Sequence, residues 1–259
     1  MVCKNCNDNL RTDYSYCPNC GAKVIRNRLT VKSLWGDIIE RYFNLENTFL
    51  KTFIHLFTKP EVVAEGYIKG IRRKYLNPIS YLGISITLSG FVVFLIKKVE
   101  LDINVDFLGS GTTSIAQEKL MDTMYDYHAL LFILFIPMMS AAGWLCFREK
   151  KYNFSERTIV FIYSLAHYSL SIFIPSCIII LFKPDGYGLF SLIALLFMYL
   201  YTAFVIKRVS KEKGIELWSK IFIFWTLFTI MYFSLSMIFP IIMLILGTIN
   251  LEDFKPTKI

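Results

Sequence analysis

The chain has 259 residues, of which 55% are hydrophobic and 16% aromatic, and its mean hydropathy is +0.49. That is too apolar for an ordinary soluble domain. A net charge of +8 raises nucleic acid as a partner, but the basic residues fall in a topological pattern described below, so nucleic acid is not expected.

Residues 1–28 form the first predicted element, a small zinc ribbon with a basic linker. Cys3-Lys4-Asn5-Cys6 and Cys17-Pro18-Asn19-Cys20-Gly21 are separated by ten residues. Two C-x-x-C pairs at such spacing can each fold into a knuckle and converge four sulfurs. Zn²⁺ then takes four thiolates tetrahedrally at about 2.3 Å and keeps no open position for water or substrate. Pro18 stiffens the turn, and Gly21 tolerates left-handed backbone that lets N–H groups face sulfur. So short a segment cannot bury a core, and the metal must supply most of its folding free energy. Cys3, Cys6, Cys17 and Cys20 are therefore the expected ligands of structural zinc. Two disulfides are unfavourable where thiols stay reduced, and another metal or a redox role is the remaining alternative. Being closed, the site speaks for binding or structure and against zinc catalysis. Lys23, Arg26, Arg28 and Lys32 follow as a linker attracted to anionic headgroups.

Residues 29–78 read as amphipathic interfacial helices. From Leu34 to Phe57, apolar residues including Trp35, Ile38, Tyr42, Phe49, Phe53 and Phe57 recur every three or four positions. Such a helix either lies in the membrane interface or packs on the face of a bundle, and the pattern leaves both open. Thr58 is the expected cap of a short helix over Glu61–Lys69, with Pro60 in its first turn. Arg72, Arg73, Lys74 and Tyr75 are expected to anchor the chain at the membrane surface, with Tyr75 and Tyr81 at headgroup level, and Pro78 opens the first span.

These features together resemble a known family. The C-x-x-C and C-P-x-C-G ribbon, Lys59-Pro60, Tyr67-Ile68-Lys69-Gly70, Arg72-Arg73-Lys74-Tyr75 and Asn77-Pro78 are similar to the bacterial family called domain of unknown function 3667, common in Bacteroidetes. The likeness lies in the N-terminal third. It implies a bacterial inner-membrane protein and supplies no activity. By span count alone the chain is also loosely similar to the Yip1 membrane-domain superfamily.

Residues 79–250 carry five apolar stretches, at 79–96, 129–147, 158–182, 187–206 and 221–247. Each is long enough to cross a hydrocarbon core of about 30 Å as a helix. The expected fold is an all-α polytopic membrane protein, with five transmembrane helices preceded by the ribbon and the amphipathic helices. Of 28 Lys and Arg, 22 fall in the segments on one side of these spans and 6 on the other. The positive-inside rule then places the N-terminus in the cytoplasm and leaves residues 251–259 as a short exported tail. No cleavable signal peptide is read at the start. The loop over residues 97–128 is acidic, and Ile115–His128 is expected to form a short amphipathic helix. Its aspartates lack the spacing of a calcium loop.

Within the spans, Pro137, Pro175 and Pro240 are expected to kink helices two, three and five. His167 is a candidate site, because an ionisable residue inside a membrane is costly to keep. Tyr163, Ser164 and Ser171 share its helical face, so the four are expected either to line a membrane cavity or to join helices. No catalytic set is recognised. The expected function is a cytoplasmic platform for protein or lipid contacts, or for self-association, anchored by the spans. The alternative is a small transporter, channel subunit or lipid-handling protein with a cavity near His167.

Overall fold

The computed structural model describes residues 2–22, 24, 48–99 and 115–254. Contacts divide the chain into two compact units, Met1–Asn47 and Thr48–Ile259. The expected amphipathic region over 34–47 and residues 100–114 of the acidic loop lie outside the described residues.

The larger unit is helical. Helix α1 is described over residues 48–58; α2 spans Pro60–Ile68, α3 Pro78–Lys98, α4 Ile115–Asp126, α5 His128–Ala142, α6 Phe154–Phe182, α7 Tyr187–Ser210 and α8 Gly214–Ile245. Helix starts follow local chemistry. Pro78 occupies the first turn of α3 behind Asn77, whose side chain accepts from the Ser80 N–H at 2.8 Å. Asn153 and Glu156 make a reciprocal capping box at α6. Thr58 is not the cap of α2. Helix α1 runs on to Thr58, so its hydroxyl donates back to the Ile54 carbonyl at 3.2 Å, and Lys59 takes the N-cap position with no side-chain bond.

Four stretches are long and apolar enough to cross a membrane: α3, α6, Pro184–Ser210 and α8. Only 11% to 39% of each apolar window is buried, so most of this apolar surface faces outward. Water would penalise such a surface heavily, and lipid would not. The chain is thus a multi-pass membrane protein. The second expected span differs from the rest. α5 has 15 residues, about 22 Å at 1.5 Å per residue, and turns replace helix over 143–151. It makes a fifth span only together with α4, from which it bends by 76°.

Side-chain pairs give the direction of each helix. Tyr163 bonds Leu76, Tyr81 bonds His167, Phe91 meets Phe173, and Ile96 shares a cluster with Ile180. Numbers rise together, so α3 and α6 are parallel and the α4–α5 pair must bring the chain back between them. By contrast, Tyr168 meets Phe197 and His167 meets Tyr201, which makes α6 and α7 antiparallel. Phe135 packs on Phe228 while the Cys146 thiol reaches the Lys220 carbonyl, so α5 and α8 are antiparallel too.

One end of the bundle, the near end, is closed by α1 and α2. There Glu61 accepts from both Arg208 nitrogens at 2.8 and 3.1 Å, and Glu65 bridges Lys150 at 2.8 Å and Lys69 at 3.0 Å. At the far end Lys97 pairs with Asp126 and Lys119 with Asp253. Leu56, Val63, Ala64, Tyr75 and Leu76 belong to the same buried cluster as Phe161, Tyr201 and Phe224. The choice left open for the amphipathic region is thereby settled for its described part. One face of α1 packs on the bundle, where Phe57 covers His167 while staying partly exposed, and Leu50 and Ile54 on other faces remain largely exposed.

Candidate functional site

The small unit brings the four N-terminal cysteines together. Their sulfurs all lie within 4.8 Å of one another. Cys3 and Cys20 are 3.6 Å apart, as are Cys6 and Cys17. The two knuckles repeat one backbone plan. The Asn7 N–H donates to the Cys3 carbonyl and the Cys3 N–H to the Asp8 carbonyl, each at 2.9 Å; Gly21 to Cys17 and Cys17 to Ala22 do the same. In each knuckle the residue after the second cysteine has left-handed backbone, Asn7 at φ 58° and Gly21 at φ 71°. Asn and Gly are the residues that tolerate this region best. The match of Asn7 to Gly21 is readable in the sequence as C-x-x-C-N beside C-x-x-C-G.

The thiols do not titrate alike. Asn5 and the backbone N–H of Ala22 hold the Cys20 thiol down to about 6. The backbone N–H of Asp8 favours a Cys6 thiolate, but hydrogen bonding with Cys20, burial and the other two thiols outweigh it and push Cys6 up to about 12. Four thiolates this close need a cation to neutralise them, and soft sulfur ligands in a four-fold set fit a divalent metal such as zinc. Cys3, Cys6, Cys17 and Cys20 could hold it. Cys146 and Cys177 lie elsewhere, in the larger unit.

At the near end of the bundle, Arg72, Arg73 and Lys74 are exposed, with Arg72 over the Tyr67 ring and Lys74 over the Tyr75 ring, each at 5.6 Å. The tyrosines expected at headgroup level are inside. Tyr75 is 4% exposed and Tyr81 fully buried. The Tyr75 hydroxyl pairs with His55 Nδ1 at 2.8 Å, and burial pushes its phenol up. Each has a hydroxyl that finds a partner within the protein, so burial costs little.

His167 sits at that near end too, because its partner Tyr81 lies in the first turn of α3. The Tyr81 hydroxyl and His167 Nδ1 are 2.8 Å apart. Phe57, Phe53 and Tyr201 enclose the imidazole at ring distances of 4.2, 4.9 and 5.0 Å, and it has no exposure. Tyr163 donates to the Leu76 carbonyl at 2.7 Å, and Ser171 donates to the His167 carbonyl at 2.7 Å. Nε2 of His167 and the Ser164 hydroxyl have no hydrogen-bond partner among the described residues. The four residues thus share a region, where they join α1, α3, α6 and α7. None of them lines either of the two cavities described below. Sequence reasoning missed Tyr81, Phe53 and Phe57 as neighbours of His167, since all come from another part of the chain.

Residues 46–90 match the family model described as Protein of unknown function (DUF3667). This segment holds α1, α2 and the first half of α3, the part that closes the near end and encloses His167. No curated protein and no solved structure matches the chain.

Proposed function

We propose that the chain is a non-enzymatic platform of the bacterial inner membrane. A zinc-bearing two-knuckle module over residues 1–28 lies on the cytoplasmic side, and the bundle anchors it with the C-terminus outside. The observation that supports this reading is the convergence of four sulfurs within 4.8 Å on two equivalent knuckles. A four-thiolate site is coordinatively complete, which suits holding a small fold together for contact with a partner and does not suit substrate chemistry. The excess of Lys and Arg in the segments at the near end agrees with a cytoplasmic assignment of that end. Exposed Arg72, Arg73 and Lys74 would lie against anionic headgroups there.

The test uses the full chain purified in mild detergent. One equivalent of zinc per chain by elemental analysis is expected, falling to none in Cys3→Ser and Cys17→Ser while the bundle still inserts. Affinity purification with and without residues 1–28 should then change the protein partners or the self-association recovered. Metal-free wild-type protein, or an unchanged set of partners, would refute the proposal.

A further inference from the structure

Both cavities lie within the helical bundle, and His167 lines neither of them. The larger encloses about 750 Å³, within the range of about 300–1,000 Å³ usual for small-ligand pockets. Along α6 its wall runs from Leu165 to Ser176, roughly 16 Å at 1.5 Å per residue. A second space of about 280 Å³ shares Met121, Met124, Leu131, Phe135 and Tyr232 with it.

One end of the cavity is lined by Leu165, Met198 and Phe228 with Tyr199 and Thr229, whose hydroxyls bond each other at 2.8 Å, and the other by Tyr125, His128, Ser176 and Tyr187. His128 Nδ1 lies 3.2 Å from the Tyr125 carbonyl. A carbonyl only accepts, so Nδ1 carries a proton, which in the neutral tautomer leaves Nε2 as the acceptor. That Nε2 is buried and has no partner among the described residues, and the same holds for the Tyr125 hydroxyl. The ring rests on Gly90 of α3, where a Cβ would stand 3.3 Å from both Cε1 and Nε2. A larger residue there would press on the imidazole. A buried acceptor and a buried hydroxyl left unpaired are costly, so their place at one end of an apolar space points to a ligand that pairs with both.

We propose that this cavity binds a single-chain amphiphile with a hydroxyl head group. Its chain lies toward Leu165, Met198 and Phe228, and its hydroxyl donates to His128 Nε2 and accepts from Tyr125. The surrounding solvent is a bilayer, so lipid-like molecules are at hand, and an apolar wall is a poor host for water. An anionic head fits less well. A carboxylate would set its lone pairs against that of Nε2, and the nearby cations Lys97 and Lys119 are already paired with Asp126 and Asp253.

The full chain in phospholipid nanodiscs is exposed to a photoactivatable monooleoylglycerol, and labelled peptides are mapped by mass spectrometry. Saturable labelling of α5 and α6 is expected, competed by monooleoylglycerol at lower concentration than by oleate or lysophosphatidylglycerol. Ser169→Trp, which fills the space, should abolish it; Val93→Trp replaces that variant if its melting temperature or elution shows misfolding. His128→Phe should weaken competition roughly tenfold, the size of one lost hydrogen bond. Labelling that does not saturate, that survives the filled variants, or that oleate or the lysophospholipid competes better would overturn the proposal.

Discussion

Leu76 offers the sharpest test of how the segment before the first span is held. Its N–H donates to the Thr52 hydroxyl at 2.9 Å, and its carbonyl accepts from the Tyr163 hydroxyl at 2.7 Å. Thr52 has no exposure, and its own hydroxyl donates to the Thr48 carbonyl at 2.6 Å. Thr52→Val keeps the branched shape and removes the hydroxyl, leaving the Leu76 N–H buried without a partner and taking one donor from the Thr48 carbonyl. Such a loss costs about 1–3 kcal/mol. Taking about 2 kcal/mol, and roughly 2–4 °C per kcal/mol for a chain of this size, the melting temperature should fall by about 4–8 °C. Tyr163→Phe should cost a comparable amount from the other side. Because both hydroxyls fix one residue, the double variant should be non-additive by about 0.5 kcal/mol or more. Thermal unfolding in detergent gives the magnitudes, and hydrogen exchange at Leu76 shows whether the loss is local. If Thr52→Val melts within 1 °C of wild type, and the Leu76 amide stays protected, the contact is not what fixes α1 to the bundle.

Other consequences follow from separate parts of the molecule. A strong chelator should make residues 1–28 protease-sensitive while the bundle stays resistant; equal resistance would show that no metal holds the module. Metal affinity should fall as pH drops, since protons must leave thiols such as Cys6, and each displaced proton weakens binding up to tenfold per pH unit; competition with a zinc indicator reads this out. Glu65 is affected by burial, which alone would raise its carboxyl, but bonds from Lys150 and Lys69 outweigh burial and hold it below its usual range. A carboxylate lowered on folding stabilises above its unfolded value of 4.5 and loses that contribution as pH falls through the lower folded value. Glu65→Gln should therefore melt below wild type at neutral pH and converge with it in acid; a constant gap would refute the linkage. At Gly143 an added side chain would run into the Phe161 ring and crowd the Met139 carbonyl, so Gly143→Val should cost about 1–3 kcal/mol, measured as lost melting temperature.

Hydropathy was sufficient for the multi-pass class, because lipid-facing helices must be apolar over their whole length. It was weaker where two elements share a crossing. Residues 129–147 are continuously apolar in the sequence, yet the helix stops at Ala142 and reaches spanning length only if counted with α4, bent from it by 76°. Tyrosines were ambiguous for a related reason. Tyr75 and Tyr81 are amphipathic and lie beside a cluster of basic residues, so the pattern fits headgroups as well as a buried contact. What decides between them is the identity of the partner, His55 for one and His167 for the other, and neither pairing leaves a local trace. The four-cysteine cluster needed less long-range information, because each C-x-x-C pair is local and makes its own knuckle.

The two halves of the bundle are built differently, and that difference bears on what each can do. In the near half, α1 and α2 fill the space among α3, α6 and α7, and their backbone groups are bonded to the spans: the Leu56 carbonyl accepts from Tyr201 at 3.1 Å and the Thr58 carbonyl from Arg208 at 3.1 Å. The segment that matches the family model is the one that makes this closure. In the far half, α3, α6, α7 and α8 continue, but among the described residues no helix enters to take the place of α1. Only α4, bent away by 76°, approaches, and it contributes Met121, Met124 and Tyr125 to the wall. A cavity in that half is the geometric consequence. Close packing makes an empty space of this size expensive in a protein interior, and in a bilayer the molecules available to offset that cost are lipids. With the near end filled by α1 and α2, the proposed amphiphile would set its head at Tyr125 and His128 and its chain toward Leu165, Met198 and Phe228.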